Sequence, residues 1–198
     1  MRTPTVIVTG AAVLALGAAG CGAASPSGGG TAKPVDPNTA EVNPAGDIPD
    51  DQAFVAYSPP GGGYSVKVPE GWARSSSGAA TTFTDKLNSI RMESAPASGA
   101  VSTAAAKRTE LPALSKSVRG FQPGEVTQVT RDAGPAVRIT YLAESAPDPV
   151  TGKVSRDAVE RYLFVHNGKK VVLTLTGPKG ADNVDPWKIV TDSVRWTG

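Results

Sequence analysis

The chain is long enough for one domain of ordinary size plus a tail, and its charge is nearly balanced. It has 198 residues, with 20 Lys and Arg against 18 Asp and Glu and a formal net charge of +2. Because a nucleic-acid-binding domain concentrates its basic residues on one surface, this balance indicates no nucleic-acid partner. The chain contains 1 Cys, so an intrachain disulfide framework is excluded.

The N-terminal residues have the composition of an export signal. Arg2 supplies one positive charge, and residues 6–19 form a run of apolar and small side chains without any charge. A run of this length is too short to span a bilayer comfortably. It is typical of the apolar segment of a signal peptide.

The residues Ala18-Ala19-Gly20-Cys21 follow directly, and they resemble the lipobox of bacterial lipoproteins. The resemblance implies that residues 1–20 are a lipoprotein signal peptide and that Cys21 is the lipid attachment site, with a diacylglycerol on its thiol. It also implies a protein anchored by lipid on the extracytoplasmic face of the cell membrane. Ala18 departs from the pattern, because Leu is commoner there. Two alternatives stay open: ordinary cleavage after Ala24 with release of the protein, or an uncleaved anchor.

Residues 21–52 predict a flexible linker that begins with the lipidated cysteine. The segment is rich in Gly, Pro and Ser and holds no aromatic residue, so it cannot bury enough apolar surface to offset the entropy lost on ordering. Its aspartates match no EF-hand spacing, and we interpret them as solvating charges rather than metal ligands. These aspartates are Asp36, Asp47, Asp50 and Asp51.

From Ala53 onward, short alternating apolar segments separated by turn residues predict β-strands. The clearest hairpin surrounds Asn167-Gly168, because this pair favours a turn in which both residues have positive φ angles. The segment Tyr64–Val68 shows the clearest alternation of apolar and polar side chains. The predicted strands cover residues 53–57, 64–68, 80–87, 89–94, 125–131, 136–144, 159–166 and 170–176.

Two helical segments are predicted. Ser102 is a candidate N-cap for a helix over Thr103–Glu110, which is rich in Ala. Pro112 either kinks this helix or begins a second short one. A terminal helix is predicted over Asp185–Trp196, with the Asp as its cap and the following Pro in its first position.

These elements predict an α+β domain over residues 53–198. Strands joined by short turns pair in the antiparallel sense, and the helices are expected to cover one or both faces of the sheet. Trp187, Val190 and Val194 recur with helical spacing, which predicts the buried side of the terminal helix.

The segment Tyr64–Trp72, with the sequence YSVKVPEGW, resembles the opening motif of PsbP-like proteins. The order of strands and helices is similar too, as is the C-terminal helix with Ser193 near its end. Together with the lipobox and the linker, the layout resembles that of actinobacterial lipoproteins of the LpqN type. The resemblance implies a PsbP-like antiparallel sheet with helices packed on its faces. It implies no activity, because the fold carries no shared catalytic residues.

No residue pattern indicates a catalytic, cofactor-binding or metal-binding site. His166 is the 1 His of the chain and is expected at an exposed strand end, and no G-x-S-x-G motif is present. One His and one lipidated Cys cannot assemble the usual zinc site. Glu93, Glu144 and Glu160 lie on predicted strands at positions expected to face solvent, which disfavours a glycosidase pair. Trp72 is interpreted as a core residue.

Five basic residues are predicted to cluster around one hairpin. A basic cluster attracts anionic groups, but lysines on an exposed strand also protect a sheet edge from pairing with other chains. We favour the second interpretation, a solubilising strand edge. The five residues are Lys153, Arg156, Arg161, Lys169 and Lys170.

These observations predict a non-enzymatic protein without a cofactor, with a binding or accessory role in the cell envelope. Its expected partners are the membrane, through the N-terminal lipid, and an envelope protein or an anionic ligand. The alternative is a carrier of a lipid or other apolar small molecule in a cavity between sheet and helix. An envelope hydrolase is a third hypothesis, and it requires a concave site with close polar partners. The residue pattern indicates no oligomeric state.

The lipid assignment predicts the effect of one substitution. Labelled palmitate should be incorporated into the wild type and not into Cys21→Ala, because this change removes the thiol that receives the lipid. The variant should also leave the membrane fraction, since durable anchoring needs at least two acyl chains. Ser27→Ala, in the same segment, is the matched control and should keep the label. Palmitate on the Cys21→Ala protein would contradict the assignment.

Overall fold

The computed structural model describes residues 45–97, 99–148 and 150–197. Cys21, the signal-peptide pattern and most of the predicted linker lie outside these residues, so what was inferred for them stays a prediction. Neither helix of the described part is long and apolar enough to cross a bilayer. The elements are β1 Phe54–Tyr57, β2 Tyr64–Pro69, β3 Ala73–Ser77, β4 Ala80–Asp85, β5 Asn88–Pro96, α1 Thr103–Ser117, β6 Gln122–Arg131, β7 Gly134–Glu144, β8 Arg156–His166, β9 Lys169–Pro178, α2 Val184–Asp192 and β10 Arg195–Trp196.

Seven strands form one sheet in the order β3-β4-β5-β9-β8-β7-β6, and every neighbouring pair is antiparallel. Tight hairpins explain much of this order. Between β8 and β9, Asn167 and Gly168 have φ angles of 45° and 72°, which confirms the predicted turn. A second sheet has the order β1-β2-β10 and joins the first hairpin of the domain to the two residues of β10.

One face of the large sheet is covered by α1. The buried side chains Ala106 and Leu114 of α1 belong to the same core cluster as Val137, Ile139 and Leu163 of β7 and β8. The alternation of side chains along each strand sends these residues to one side and their neighbours to the other. The helix therefore covers one face of the sheet, as the sequence predicted.

The opposite face is covered by the small sheet together with α2. Tyr64, Val66 and Val68 of β2 are 1%, 1% and 2% exposed, so the alternation predicted for this segment is confirmed. Trp72 packs against the same core while remaining partly exposed. The remaining members of this cluster include Ile90, Leu173 and Leu175 of the large sheet and Trp187, Val190 and Val194 of the C-terminal region.

The sequence did not predict β3. All five residues of Ala73–Ser77 are exposed, and none has a large apolar side chain, so no burial pattern marks the strand. It forms because β4 presents an edge with which it pairs residue by residue, from Ala73 opposite Thr84 to Ser77 opposite Ala80. The partner strand, rather than local patterning, decides its conformation.

The first helix begins as predicted and ends later than predicted. The Ser102 hydroxyl accepts a hydrogen bond from the Ala105 backbone N–H at 3.1 Å, so the N-cap is confirmed. Helix α1 then continues past Pro112 to Ser117, and the alternative of a second short helix is wrong. The buried Leu114 lies beyond the proline, and its packing favours continuation of the helix.

The terminal helix differs from the prediction at both ends. Helix α2 begins at Val184, after Asn183 in the N-cap position, so Asp185 is not the cap and Pro186 is not the first helical residue. The Asn183 side chain makes no capping hydrogen bond, because it is used in long-range contacts. Trp196 does not continue the helix but lies in β10.

Part of the segment that composition assigns to the linker packs against the domain. Ile48 is 5% exposed and belongs to the core with β2 and α2. The Asn183 Oδ1 accepts a hydrogen bond from the Ile48 backbone N–H at 2.8 Å, and its Nδ2 donates to the Gly46 carbonyl at 2.9 Å. Asn88 Nδ2 donates to the same carbonyl at 2.8 Å. At Gly46 a Cβ atom would lie 2.4 Å from Pro178 Cγ, and φ is +98°, so glycine is required there.

This packing predicts that Ile48 stabilises the domain although it precedes the first strand. Ile48→Ala should lower the free energy of unfolding by about 2–4 kcal/mol, because it removes buried methylene groups and leaves a cavity. Val150→Ala is the matched control. Val150 is 90% exposed, and its truncation should change stability by less than about 0.5 kcal/mol. Urea denaturation measures both, and equal midpoints for Ile48→Ala and the wild type would contradict the assignment.

Candidate functional site

A cleft of about 310 Å³ lies between α1 and the large sheet, and we call it the helix cleft. Its lining includes Leu163 and Val165 of β8 and the small side chains of Ala105 and Ala106 on α1. Residues 96, 97 and 99–101 close another side. Alanine on this part of α1 leaves a space between helix and sheet that larger side chains would fill.

One side of the helix cleft is charged. The Glu110 carboxylate on α1 accepts a hydrogen bond from Lys170 Nζ at 3.1 Å and lies 3.4 Å from Arg161 Nη2. Arg161 also lies 3.4 Å from the Glu93 carboxylate and donates to Thr174 Oγ1 at 2.9 Å. These contacts connect α1 to β5, β8 and β9.

The charged network has an excess of positive charge. Arg91 pairs with Glu93 at 2.8 Å, so Arg91, Arg161 and Lys170 share the carboxylates of Glu93 and Glu110. The Arg161 side chain is 14% exposed, and its Nε is buried without a hydrogen-bond partner in the described part of the chain. An excess cation next to the cleft favours an anionic group over a cationic one.

The five basic residues predicted to cluster do not form one surface. Arg161 and Lys170 meet at Glu110, whereas the neighbouring Lys169 contacts the Gly61 carbonyl on the opposite side of the strand at 3.4 Å. Arg156 pairs with Glu144 at 3.7 Å, away from the cleft. Lys153 lies in the exposed loop before β8. The cluster does not form because adjacent residues of a strand point to opposite faces of the sheet, and because Arg156 and Lys153 lie at the end of the hairpin far from its turn. The interpretation as an exposed sheet edge is wrong as well, since β8 and β9 lie inside the sheet between β5 and β7.

His166 lies at an exposed strand end, as predicted, and its ring stacks on Trp196 with centroids 5.2 Å apart. It makes no hydrogen bond to any described side chain, so nothing there orients it as a general base. No group of three or more His, Cys, Asp or Glu residues could hold a metal ion among residues 45–97, 99–148 and 150–197.

The three strand carboxylates differ in exposure. Glu144 is 41% exposed, as expected, but the side chains of Glu93 and Glu160 are only 29% and 28% exposed and lie in ion-paired networks. The expectation that all three face solvent was therefore wrong for two of them. Cross-strand arginines at Arg161 and Arg138 make the burial tolerable, and a sequence pattern does not reveal such partners.

A second polar network lies on the opposite face, below α2. The Tyr162 hydroxyl donates to the Glu160 carboxylate at 2.6 Å and accepts from Arg131 Nη2 at 3.1 Å, and Arg131 Nε donates to Thr191 Oγ1 at 2.9 Å. Desolvation raises the pKa of Tyr162, and its hydrogen bond to Glu160 raises that pKa further. Because Arg131 also lies 3.4 Å from Asp192, this network attaches α2 to the sheet.

No protein-family model matches the sequence, and no curated protein matches it either. Solved structures do match. A PsbP protein of a cyanobacterium, CyanoP from Synechocystis sp. PCC 6803, has a TM-score of 0.52 at 15% identity, covering 78% of this chain and 98% of that chain. The domain has a PsbP-like fold.

Two further similar structures have lower scores. The Ran-binding protein Mog1p of Saccharomyces cerevisiae has a TM-score of 0.49 at 10% identity, covering 74% of this chain and 96% of that chain. LpqN of Mycobacterium tuberculosis, involved in cell envelope biogenesis, has a TM-score of 0.43 at 15% identity, covering 75% of this chain and 87% of that chain. Identities this low concern the fold of the PsbP-like domain alone.

The partly buried ion pairs of the helix cleft should contribute more to the free energy of unfolding than an exposed ion pair elsewhere in the domain. Glu110→Gln should lower the free energy of unfolding by about 1–2 kcal/mol, because Arg161 and Lys170 lose a partly buried counter-charge. Asp132→Asn is the control in the Asp132–Arg195 pair, whose side chains are 58% and 54% exposed. It should cost less than about 1 kcal/mol, since solvent screens exposed pairs. Equal losses in urea denaturation would contradict this account of the cleft.

Proposed function

We propose that this protein is a membrane-anchored extracytoplasmic lipoprotein whose PsbP-like domain has a non-enzymatic binding or accessory role in the cell envelope. The observation that carries the proposal is that the ionisable side chains at the helix cleft are all engaged in ion pairs. Glu93, Glu110, Arg161 and Lys170 are held in ion pairs with one another, and Arg91, paired with Glu93, adds the one positive charge in excess. A catalytic acid or base needs instead a group poised beside a nucleophile or a substrate proton.

The chemistry of the helix cleft suits the recognition of an anionic group. Lys170 is 31% exposed, so its ammonium can approach an external anion while it still contacts Glu110. A partner carboxylate or phosphate would meet the Lys170 ammonium at the edge of a recess whose surface is both apolar and polar. An envelope protein with an acidic side chain, or a small anionic ligand, has this chemistry.

Crosslinking tests the proposal at the cleft. The full-length protein is crosslinked in membranes and purified, and Lys170→Gln is compared with Lys153→Gln as a control in an exposed loop. We expect an envelope partner with the wild type and the control, and a several-fold lower yield with Lys170→Gln. Turnover of an envelope substrate by the purified protein, with no partner that depends on Lys170, would overturn the proposal.

A second candidate function is the transport of a lipid or other apolar small molecule. The observation that favours it is the position of the helix cleft between sheet and helix, with Leu163 and Val165 in its lining. Its volume of about 310 Å³ lies at the lower end of the range for ligand pockets, which is about 300–1,000 Å³. The cleft would therefore hold one short chain or ring.

Native mass spectrometry separates the two candidates. A carrier should retain an apolar molecule in the wild type and lose it in Thr109→Trp, because residue 109 lines the cleft and a tryptophan there would fill it. Arg108→Trp is the matched control, since the neighbouring residue is exposed and outside the lining. A bare mass for the gently purified wild type would count against the carrier.

A further inference from the structure

A second recess, which we call the Arg74 pocket, lies where β1 meets the β3–β4 hairpin. It has a volume of about 410 Å³ and lies outside the helix cleft and both polar networks described above. Its lining includes Tyr57 at the end of β1, the following Pro59 and Pro60, and Arg74 and Ser76 on β3. The hairpin turn adds the small residues at positions 78 and 79, which leave the recess open.

The strand register brings the polar groups of the Arg74 pocket together. Arg74 and Ser76 are two residues apart on β3, so they share one face of the strand, and Ser76 pairs with Thr81 on β4. The Tyr57 ring packs edge-on against Phe83, with centroids 5.0 Å apart, which holds the phenol at this position. The Arg74 guanidinium and the hydroxyl-bearing residues Tyr57, Ser58, Ser76 and Thr81 therefore line the same recess.

The hydroxyl groups retain the capacity to donate hydrogen bonds. Thr81 is only 7% exposed. Its Oγ1 lies 3.4 Å from the Tyr57 hydroxyl and 3.5 Å from Ser76 Oγ. Ordinary O–H···O hydrogen bonds are about 2.7–2.8 Å long, so these contacts are weak. An acceptor placed between the hydroxyl groups would make shorter bonds than they make with one another.

Arg74 stacks on Tyr57 and has no counter-charge among the described residues. Its Cζ lies 5.6 Å from the centroid of the Tyr57 ring, a cation–π contact that orients the guanidinium. Within the described part of the chain, no carboxylate lies within ion-pair distance of Arg74, and its N–H groups donate no hydrogen bond. Of the eight other arginines in that part, six have a carboxylate partner: Arg91, Arg131, Arg138, Arg156, Arg161 and Arg195. Arg108 and Arg119 also have none there, but neither belongs to the lining of this pocket.

We propose that the Arg74 pocket binds an oxyanion, a phosphate or a carboxylate, carried on a compact polar molecule such as a sugar. The guanidinium presents paired N–H donors that match two oxygens of such a group, and the hydroxyl groups of Ser76, Thr81 and Tyr57 complete the donor set. The volume exceeds that of a simple ion, and Pro59 with the Tyr57 ring offers an apolar surface for the carrier. The proposal depends neither on lipid anchoring nor on the helix cleft.

Titration of the purified full-length protein tests the proposal with four probes: glucose 1-phosphate, inorganic phosphate, glucuronate and glucose. Calorimetry gives the affinity, and amide NMR shifts at Ser76 and Thr81 locate the site. We expect saturable binding of at least one anion and none of glucose. Binding of glucose 1-phosphate but of neither other anion would show that the site recognises a phosphate attached to a sugar. Binding of glucuronate would show that the site also accepts carboxylates.

Substitutions of Arg74 decide whether this residue is responsible. Arg74→Gln should weaken binding at least about ten-fold, since a charge-assisted hydrogen-bond pair is lost. The affinity of Arg74→Lys should lie between those of the wild type and Arg74→Gln, because lysine keeps the positive charge and loses the paired donors. Arg108→Gln, an exposed arginine on α1, is the matched control and should bind as the wild type does. Unchanged affinity in Arg74→Gln, equal binding of glucose, or no saturable binding of any of the three anions would overturn the proposal.

Discussion

The architecture depends on the burial of β9 on both of its faces. Val171, Leu173 and Leu175 face the core below α2 and the small sheet, and Val172 faces the core below α1. Because both faces of β9 are buried, other elements must pack against each face of the large sheet. Helix α1 supplies one cover, and the small sheet with α2 supplies the other.

Both candidate binding sites lie where the elements that cover the large sheet leave a gap. Alanines on α1 leave the helix cleft open beside Glu110, and the short β1 ends at Tyr57 beside the exposed strand β3. The chemistry of the two recesses differs. At the helix cleft the cations are paired with carboxylates, whereas Arg74 is stacked on Tyr57 without a described carboxylate. The first recess suits a ligand or partner with an apolar part, and the second suits a small polar oxyanion.

Local patterns predicted the parts of the fold that depend on neighbouring residues. The alternation over Tyr64–Val68, the Asn-Gly turn and the Ser102 cap each involve residues a few positions apart, and all three are present. The patterns failed where a distant partner decides the outcome. Strand β3 depends on β4, and Asn183 uses its side chain on Ile48 instead of capping α2. The polar networks could not be predicted for the same reason.

The sequence by itself determined the type of protein to expect. One His, one Cys and a run of short alternating strands exclude most catalytic sets and indicate an antiparallel α+β domain, and the lipobox-like residues predict the anchor at Cys21. Only the tertiary structure decided which charges meet. Arg161 reaches Glu110 and Glu93, which are 51 and 68 positions away along the chain, while Arg74 meets an aromatic ring. These contacts follow from strand order and register, which arise from burial of the whole sheet and leave no mark in a local pattern.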